Sequence, residues 1–277
     1  MSDQEEILES TDRQAGEAVW RTLSHLRAGR PLVHCITNYV AMDINANALL
    51  AVGASPVMAH AAEEVEEIAG VAGALVINIG TLDKVWVESM LAAAKAAVEA
   101  GVPWVLDPVG VNATPYRLEV AKRLTRLQPT VIRGNASEIA ALGASSAAGG
   151  QGVDSTLESF DALDAAQTLA RKSGAVVAVT GAVDYVTNGH DLVAVANGHE
   201  FMARVTAIGC TLSALVGACL AVSDDPLEAT VHGLVIMGIA GEMAAERSQG
   251  PGSFRTALID ALYRMEESQV EEAARIG

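Results

Sequence analysis

Residues 74–107 read ALVINIGTLDKVWVESMLAAAKAAVEAGVPWVLD, and this stretch decides the fold. It opens on an apolar run, residues 74–79, interrupted only at Asn78, long enough for a strand and too short for a helix. Residues 83–100 follow with Trp86, Met90, Ala93 and Ala97 at helical spacing, and Gly101 stops that helix. A second apolar run over residues 102–106 ends at Asp107. Strand, helix and strand in that order make a βαβ unit. Continuous rather than alternating apolar strands indicate a parallel sheet buried on both faces.

The same alternation extends outward in both directions. Upstream, residues 1–15 are polar and acidic and read as a flexible tail leading into a helix that ends near Gly29. Residues 32–36 form a strand, 43–52 a helix closed by Gly53 as a left-handed C-cap, 55–58 a strand and 63–68 a solvated, Glu-rich helix. Downstream come a helix over 115–128, a strand over 130–132 stopping at Arg133, and a short helix over 137–142. Residues 143–156, rich in Gly, Ser and Ala, read as a loop; 157–173 read as a helix with a Gly174 stop. A strand over 175–179 ends at Thr180, and residues 185–187 and 192–196 flank Asn188-Gly189 as a hairpin. After Gly209 the chain is almost wholly helical. With no linker and no internal repeat, residues 1–277 read as one α/β domain with a mostly parallel central sheet.

Composition narrows the function. Of 277 residues 51% are hydrophobic and only 4% aromatic, so the core is built from Ala, Val, Leu and Ile. A formal net charge of −16 argues against nucleic acid or an anionic membrane as partner, since both need a basic surface. A nucleotide remains compatible, because its site can be locally positive on an acidic protein. Cys35, Cys210 and Cys219 lack metal-ligand spacing and suggest no disulfide framework. The first thirty residues hold no apolar leader, and no stretch reads as long and apolar enough to span a membrane, which makes cytoplasm the expected compartment.

The polar residues fall where a ligand would be held. In an open parallel sheet, ligands bind beyond the C-terminal strand ends, and here those ends carry Gly80-Thr81, Asp107, Arg133 and Thr180. The most informative segment is VTAIGCTLSA, residues 205–214. Gly209 lets a ligand approach the backbone, and the amides of a helix starting there can hold an anion such as a transferring phosphoryl group. The same dipole would lower the Cys210 thiol pKa. A free Cys is otherwise a small buried hydrophobe, which is the reading for Cys219. Neither the P-loop pattern nor G-x-G-x-x-G is present, so Walker-type and Rossmann readings lose, and the absence of G-x-S-x-G weakens a hydrolase reading.

Taken together, the segments HCITN (34–38), GASPVM (53–58), NIGT (78–81), LDPVG (106–110), IRGNASE (132–138), VTG (179–181), GC (209–210) and GPGSF (250–254) resemble hydroxyethylthiazole kinase, of the ribokinase-like superfamily. The resemblance runs from about Leu32 to Met265. It implies a three-layer αβα fold and transfer of the γ-phosphate of Mg-ATP to 4-methyl-5-(2-hydroxyethyl)thiazole, a step in making thiamine. It implies that Cys210 stands where related kinases carry an Asp base, and that Asn38, Met58, Ala207 and Gly209 contact the substrate. Arg133 and Thr180 match ATP contacts. Asp107 and Glu138 match the acidic residues around Mg²⁺, directly or through water. It also implies a homotrimer with the site between subunits. The chain departs from the pattern at Ala207, where many members carry Gly; a glycine's backbone contact survives with Ala there if φ is negative.

Other readings stay open on the residues alone. One is a kinase of another small alcohol, such as hydroxymethylpyrimidine. Another is a nucleotide-dependent lyase of the same architecture, against which Cys210 in place of Asp speaks. A third is a nucleotide-binding sensor without turnover.

Overall fold

The structure is a computed structural model that describes residues 3–144 and 159–277. Its centre is an eight-stranded sheet. In chain order the strands are β1 (Leu32–Ile36), β2 (Ser55–Val57), β3 (Ala74–Asn78), β4 (Trp104–Asp107), β5 (Val131–Asn135), β6 (Val176–Thr180), β7 (Asp184–Thr187) and β8 (Leu192–Val195). Across the sheet they run β2-β1-β3-β4-β5-β6-β7-β8. β1 to β6 are parallel; β7 and β8 add an antiparallel hairpin on the β6 edge.

Helices cover both faces, and the strands divide their side chains between them residue by residue. On β3, Val76 faces one core while Leu75 and Ile77 face the other; all are fully buried. The Val76 face packs on α1 (Asp3–Gly29), α2 (Met42–Val52), α8 (Ile208–Leu220), α9 (Pro226–Glu246), α10 (Pro251–Arg264) and α11 (Glu267–Ala273). The opposite face packs on α3 (Val65–Val71), α4 (Lys84–Ala100), α5 (Pro115–Thr125), α6 (Ala136–Ala144) and α7 (Leu163–Ser173). Each fully buried Leu, Ile or Val on these faces stabilises the fold by about 1.5–3 kcal/mol. The βαβ unit of residues 74–107 forms as its sequence requires: Asp83 Oδ1 caps α4 by accepting from the Val85 and Trp86 amides at 2.8 and 3.0 Å, and Gly101 closes it in the left-handed region at φ 71°.

Several boundaries differ from expectation. α1 begins at Asp3, so the backbone of the segment read as a tail is helical. Residues 3–15 contain neither Gly nor Pro, and nothing in their local chemistry stops a helix. Met58 lies just past β2, and α7 is preceded by a 3₁₀ turn, Ser159–Ala162, where a continuous helix was expected. Of the loop read at 143–156, residues 143 and 144 belong to α6, and the remainder lies outside the described residues. α9 is by length and hydropathy apolar enough to cross a membrane, contrary to the reading from sequence; 78% of its apolar window is buried within the fold, where it serves as a core helix.

Candidate functional site

The parallel strands deliver their C-terminal ends to one edge, and the first turn of α8 lies over them. α8 starts after Ala207 with no side-chain cap, so its leading amides are left without intrahelical acceptors. Packing across this junction is close. A Cβ on Gly209 would stand 2.8 Å from Arg133 Nη1, so only glycine lets the guanidinium lie against the helix start.

Arg133 is buried on β5. Its Nη2 donates to Thr180 Oγ1 at 2.7 Å, Nη1 stands 4.0 Å from Asp107 Oδ1, and its buried Nε has no hydrogen-bond partner. Asp107, fully buried at the end of β4, receives Asn78 Nδ2 at 2.7 Å and Ser213 Oγ at 2.9 Å on Oδ2, while its Oδ1 has no hydrogen-bond partner. Burial pushes the Asp107 pKa up to about 6; the Arg133 charge opposes this, the Glu138 charge adds to it, and the bonds from Ser213 and Asn78 oppose it. Glu138, buried at the start of α6, accepts the Gly110 amide at 2.8 Å and the Asn135 amide at 2.9 Å, one on each oxygen.

A cavity of about 870 Å³ opens beside this group. Its lining includes Arg133, Thr180, Asp184, Ile208, Gly209 and Leu212, together with residues of the segments 197–200 and 202–204. Its size and mixed lining suit a small-molecule ligand.

On the β1 side, Asn38 Nδ2 lies 3.3 Å from Cys210 Sγ and 2.9 Å from Asn78 Oδ1. The Cys210 thiol is pushed up to about 11, above its usual range. Burial is the main cause and the Asp107 charge adds to it, against the opposing pull of Asn38, Arg133 and Asn78. This runs against the expectation of a lowered thiol pKa: desolvation, with the neighbouring carboxylate adding to it, sets the direction. Ala207 has φ 67°. The condition of negative φ therefore fails, and an L residue holds a left-handed position at a cost of about 1–2 kcal/mol.

The structure thus gathers Cys210, Asn38, Gly209, Arg133, Thr180, Asp107 and Glu138 at one sheet edge. Met58, half-buried beyond β2, packs against the core and does not line the cavity. Sequence reasoning gave no role to Asn78 or Ser213. The signals were an amide closing the apolar run of β3 and a hydroxyl within an apolar helix. It also missed Arg117, whose guanidinium donates to the Ile79, Gly80 and Val109 carbonyls and ties together the turns after β3 and β4. Among the described residues no cluster of three or more His, Cys, Asp or Glu could hold a metal on its own.

Residues 23–268 match the model of the hydroxyethylthiazole kinase family. The hydroxyethylthiazole kinase of Nitratidesulfovibrio vulgaris is 49% identical over 262 residues, covering 94% of this chain and 98% of that one. That of Cereibacter sphaeroides is 53% identical over 254 residues, covering 92% and 96%. The solved structure of hydroxyethylthiazole kinase from Pyrococcus horikoshii OT3 superposes with a TM-score of 0.87 at 46% identity, over 94% of this chain and 98% of that one. A pyridoxal kinase from Staphylococcus aureus, at 16% identity and a TM-score of 0.57 over 76% and 87%, shares the fold.

Proposed function

We infer the reaction from one premise: the chain belongs to the hydroxyethylthiazole kinase family. It is a kinase that phosphorylates the hydroxyl of 4-methyl-5-(2-hydroxyethyl)thiazole, the thiazole unit used for thiamine, with ATP as co-substrate. The observation that carries the assignment of the site is the cavity of about 870 Å³ lined by Arg133, Thr180 and Gly209, with Arg133 lying against Gly209 at the start of α8.

In this reading the phosphates of ATP lie in the cavity against the Arg133 guanidinium and beside the free amides of the first turn of α8. A planar fork of N–H donors and a helix N-terminus both favour multiply charged oxygens. Thr180 holds Arg133 in place through its hydroxyl. The thiazole lies on the Asn38 side, with Met58, Ala207 and Gly209 as further contacts, and its hydroxyl sits beside Cys210. The new O–P bond forms as the bond from the γ-phosphorus to the β,γ-bridging oxygen breaks, and ADP leaves. The transition state is loose, so positioning and charge stabilisation dominate, and the alcohol proton leaves late, to an oxygen of the transferred phosphoryl group and from there to solvent. Burial and the Asp107 charge push the Cys210 thiol up and favour its protonated form, in keeping with a group that orients the hydroxyl rather than removing its proton.

Mg²⁺ fits the donor set. Asp107 offers a buried carboxylate oxygen with no hydrogen-bond partner, whereas both oxygens of Glu138 already accept backbone amides. Asp107 would hold the ion and Glu138 would act through water, in keeping with the waters that Mg²⁺ retains. When bound, the ion neutralises charge on the transferring phosphate. A homotrimer with the site between subunits belongs to the same reading. Exposed Tyr39 and Val40 beside Asn38 are the apolar surface that such a contact would cover. Cytoplasmic location is supported by the free thiols, Cys35, Cys210 and Cys219.

The test is an ATP-to-ADP coupled assay with hydroxyethylthiazole, hydroxymethylpyrimidine and pyridoxal as acceptors. Turnover with the thiazole alone is expected. ADP release with none of them, or with pyridoxal in preference, contradicts the assignment.

A further inference from the structure

A row of buried polar side chains joins the two halves of the site. Asn78 ends β3 with 1% of its surface exposed, and both ends of its amide are engaged. Nδ2 donates to Asp107 Oδ2 at 2.7 Å; Oδ1 accepts from Asn38 Nδ2 and from the Gly80 amide, each at 2.9 Å. Asn38 Nδ2 reaches Cys210 Sγ at 3.3 Å, and Asn38 Oδ1 accepts the Val40 and Ala41 amides, each at 3.0 Å. Each bond fixes the sense of the next. An ionised Asp107 only accepts, so the nitrogen of Asn78 must face it and the oxygen must face Asn38. Asn38 must then turn its nitrogen towards Asn78 and Cys210, an orientation that the amides at its oxygen independently require. The thiol therefore meets a donor, and its sulfur serves as the acceptor on that side.

Room around the chain is restricted. A Cβ on Gly80 would stand 2.7 Å from Asn38 Nδ2, so the turn after β3 closes over the Asn38 amide. Ser213 supplies the second donor to Asp107 Oδ2 but does not touch the amide chain.

We propose that Asn78 is a positioning residue that couples the orientation of Cys210, through Asn38, to the Asp107 carboxylate. The alcohol end of the reaction is thereby aligned by the same group that faces the phosphate end. This rests on the phosphoryl-transfer reading above.

The test is a double-mutant cycle in the full chain, reading kcat and KM for ATP and hydroxyethylthiazole. Asn78→Ala is expected to lower kcat by about 10- to 100-fold with both KM values within about threefold, the pattern of lost alignment rather than lost binding. In a Cys210→Ala background the loss from Asn78→Ala should shrink by at least about fivefold, because one branch of its action is already gone. Ser213→Ala, which removes a donor from Asp107 alone, should cost the same factor in both backgrounds. Thermal midpoints report whether each variant is folded; if Asn78→Ala is not, Asn78→Ser replaces it, since its short hydroxyl cannot span Asp107 and Asn38. Equal losses from the Asn78 substitution in the two backgrounds, or a loss confined to KM, overturn the coupling. Absence of turnover in the unmutated chain overturns the phosphoryl-transfer reading and this inference with it.

Discussion

The two ends of α8 use the same residue types to opposite purpose. At its start, Gly209 leaves room for the Arg133 guanidinium, and Cys210 stands half-buried with a hydrogen-bond donor at its sulfur. Near its end, Gly217 leaves room for the sheet: a Cβ there would stand 2.6 Å from Val76 Cγ2. Cys219 is fully buried among apolar neighbours, and burial pushes its thiol up to about 12. A glycine or cysteine in an apolar helix therefore says little by itself. What it faces decides its role: at one end a charge on a strand edge, at the other a branched side chain in the core.

That contrast can be broken at either end. The largest effect is expected at Cys210. Cys210→Ala should lower kcat by about 10- to 100-fold, the scale of a lost aligning contact, with the thermal midpoint unchanged. Cys210→Asp should retain or raise turnover, because a carboxylate accepts the alcohol's hydrogen bond or proton more readily than a thiol whose pKa is near 11. Steady-state kinetics with thiazole binding measured in parallel would show it; abolished turnover with binding intact counts against the orienting role.

At the other end, Cys219→Ser places a hydroxyl in an apolar site and should cost about 1–3 kcal/mol while leaving kcat unchanged. Chemical denaturation measures the loss, and a kcat change of comparable size would erase the distinction between the ends. A smaller effect sharpens the boundary. Ala207 sits just before the helix at φ 67°, and Ala207→Gly should stabilise by about 0.5–1 kcal/mol, the left-handed strain relieved less the entropy glycine loses. An unchanged or lowered denaturation midpoint would show that Ala207 carries no such strain.

The contrast also marks what the sequence could reveal. The gathering of Asp107 and Thr180 at one sheet edge was legible because each ends an apolar run, and a parallel sheet sends all such ends to one edge. The βαβ unit of residues 74–107 was legible because two short apolar runs, the helical spacing between them and the Gly101 stop agree. The direction of the Cys210 pKa was not, since desolvation and the Asp107 charge come from residues distant in the chain. The sign of φ at Ala207 was hidden because alanine normally signals the opposite. Asn78 and Ser213 looked like strand-end and helix polarity until the fold brought both to the same oxygen of Asp107.

The most direct test of the account is a paired measurement on Gly209→Ala and Gly217→Ala, reading kcat/KM for ATP and the thermal midpoint of each. The new Cβ at 209 meets the flexible tip of Arg133 and displaces it, so kcat/KM should fall by about 10- to 100-fold with little loss of stability. The new Cβ at 217 meets Val76, stiff about χ1 and fully buried, so the fold should lose about 1–3 kcal/mol and the catalytic constants should hold. Equal loss of activity in both variants, or full activity in Gly209→Ala, would contradict the placement of the chemistry at the first turn of α8.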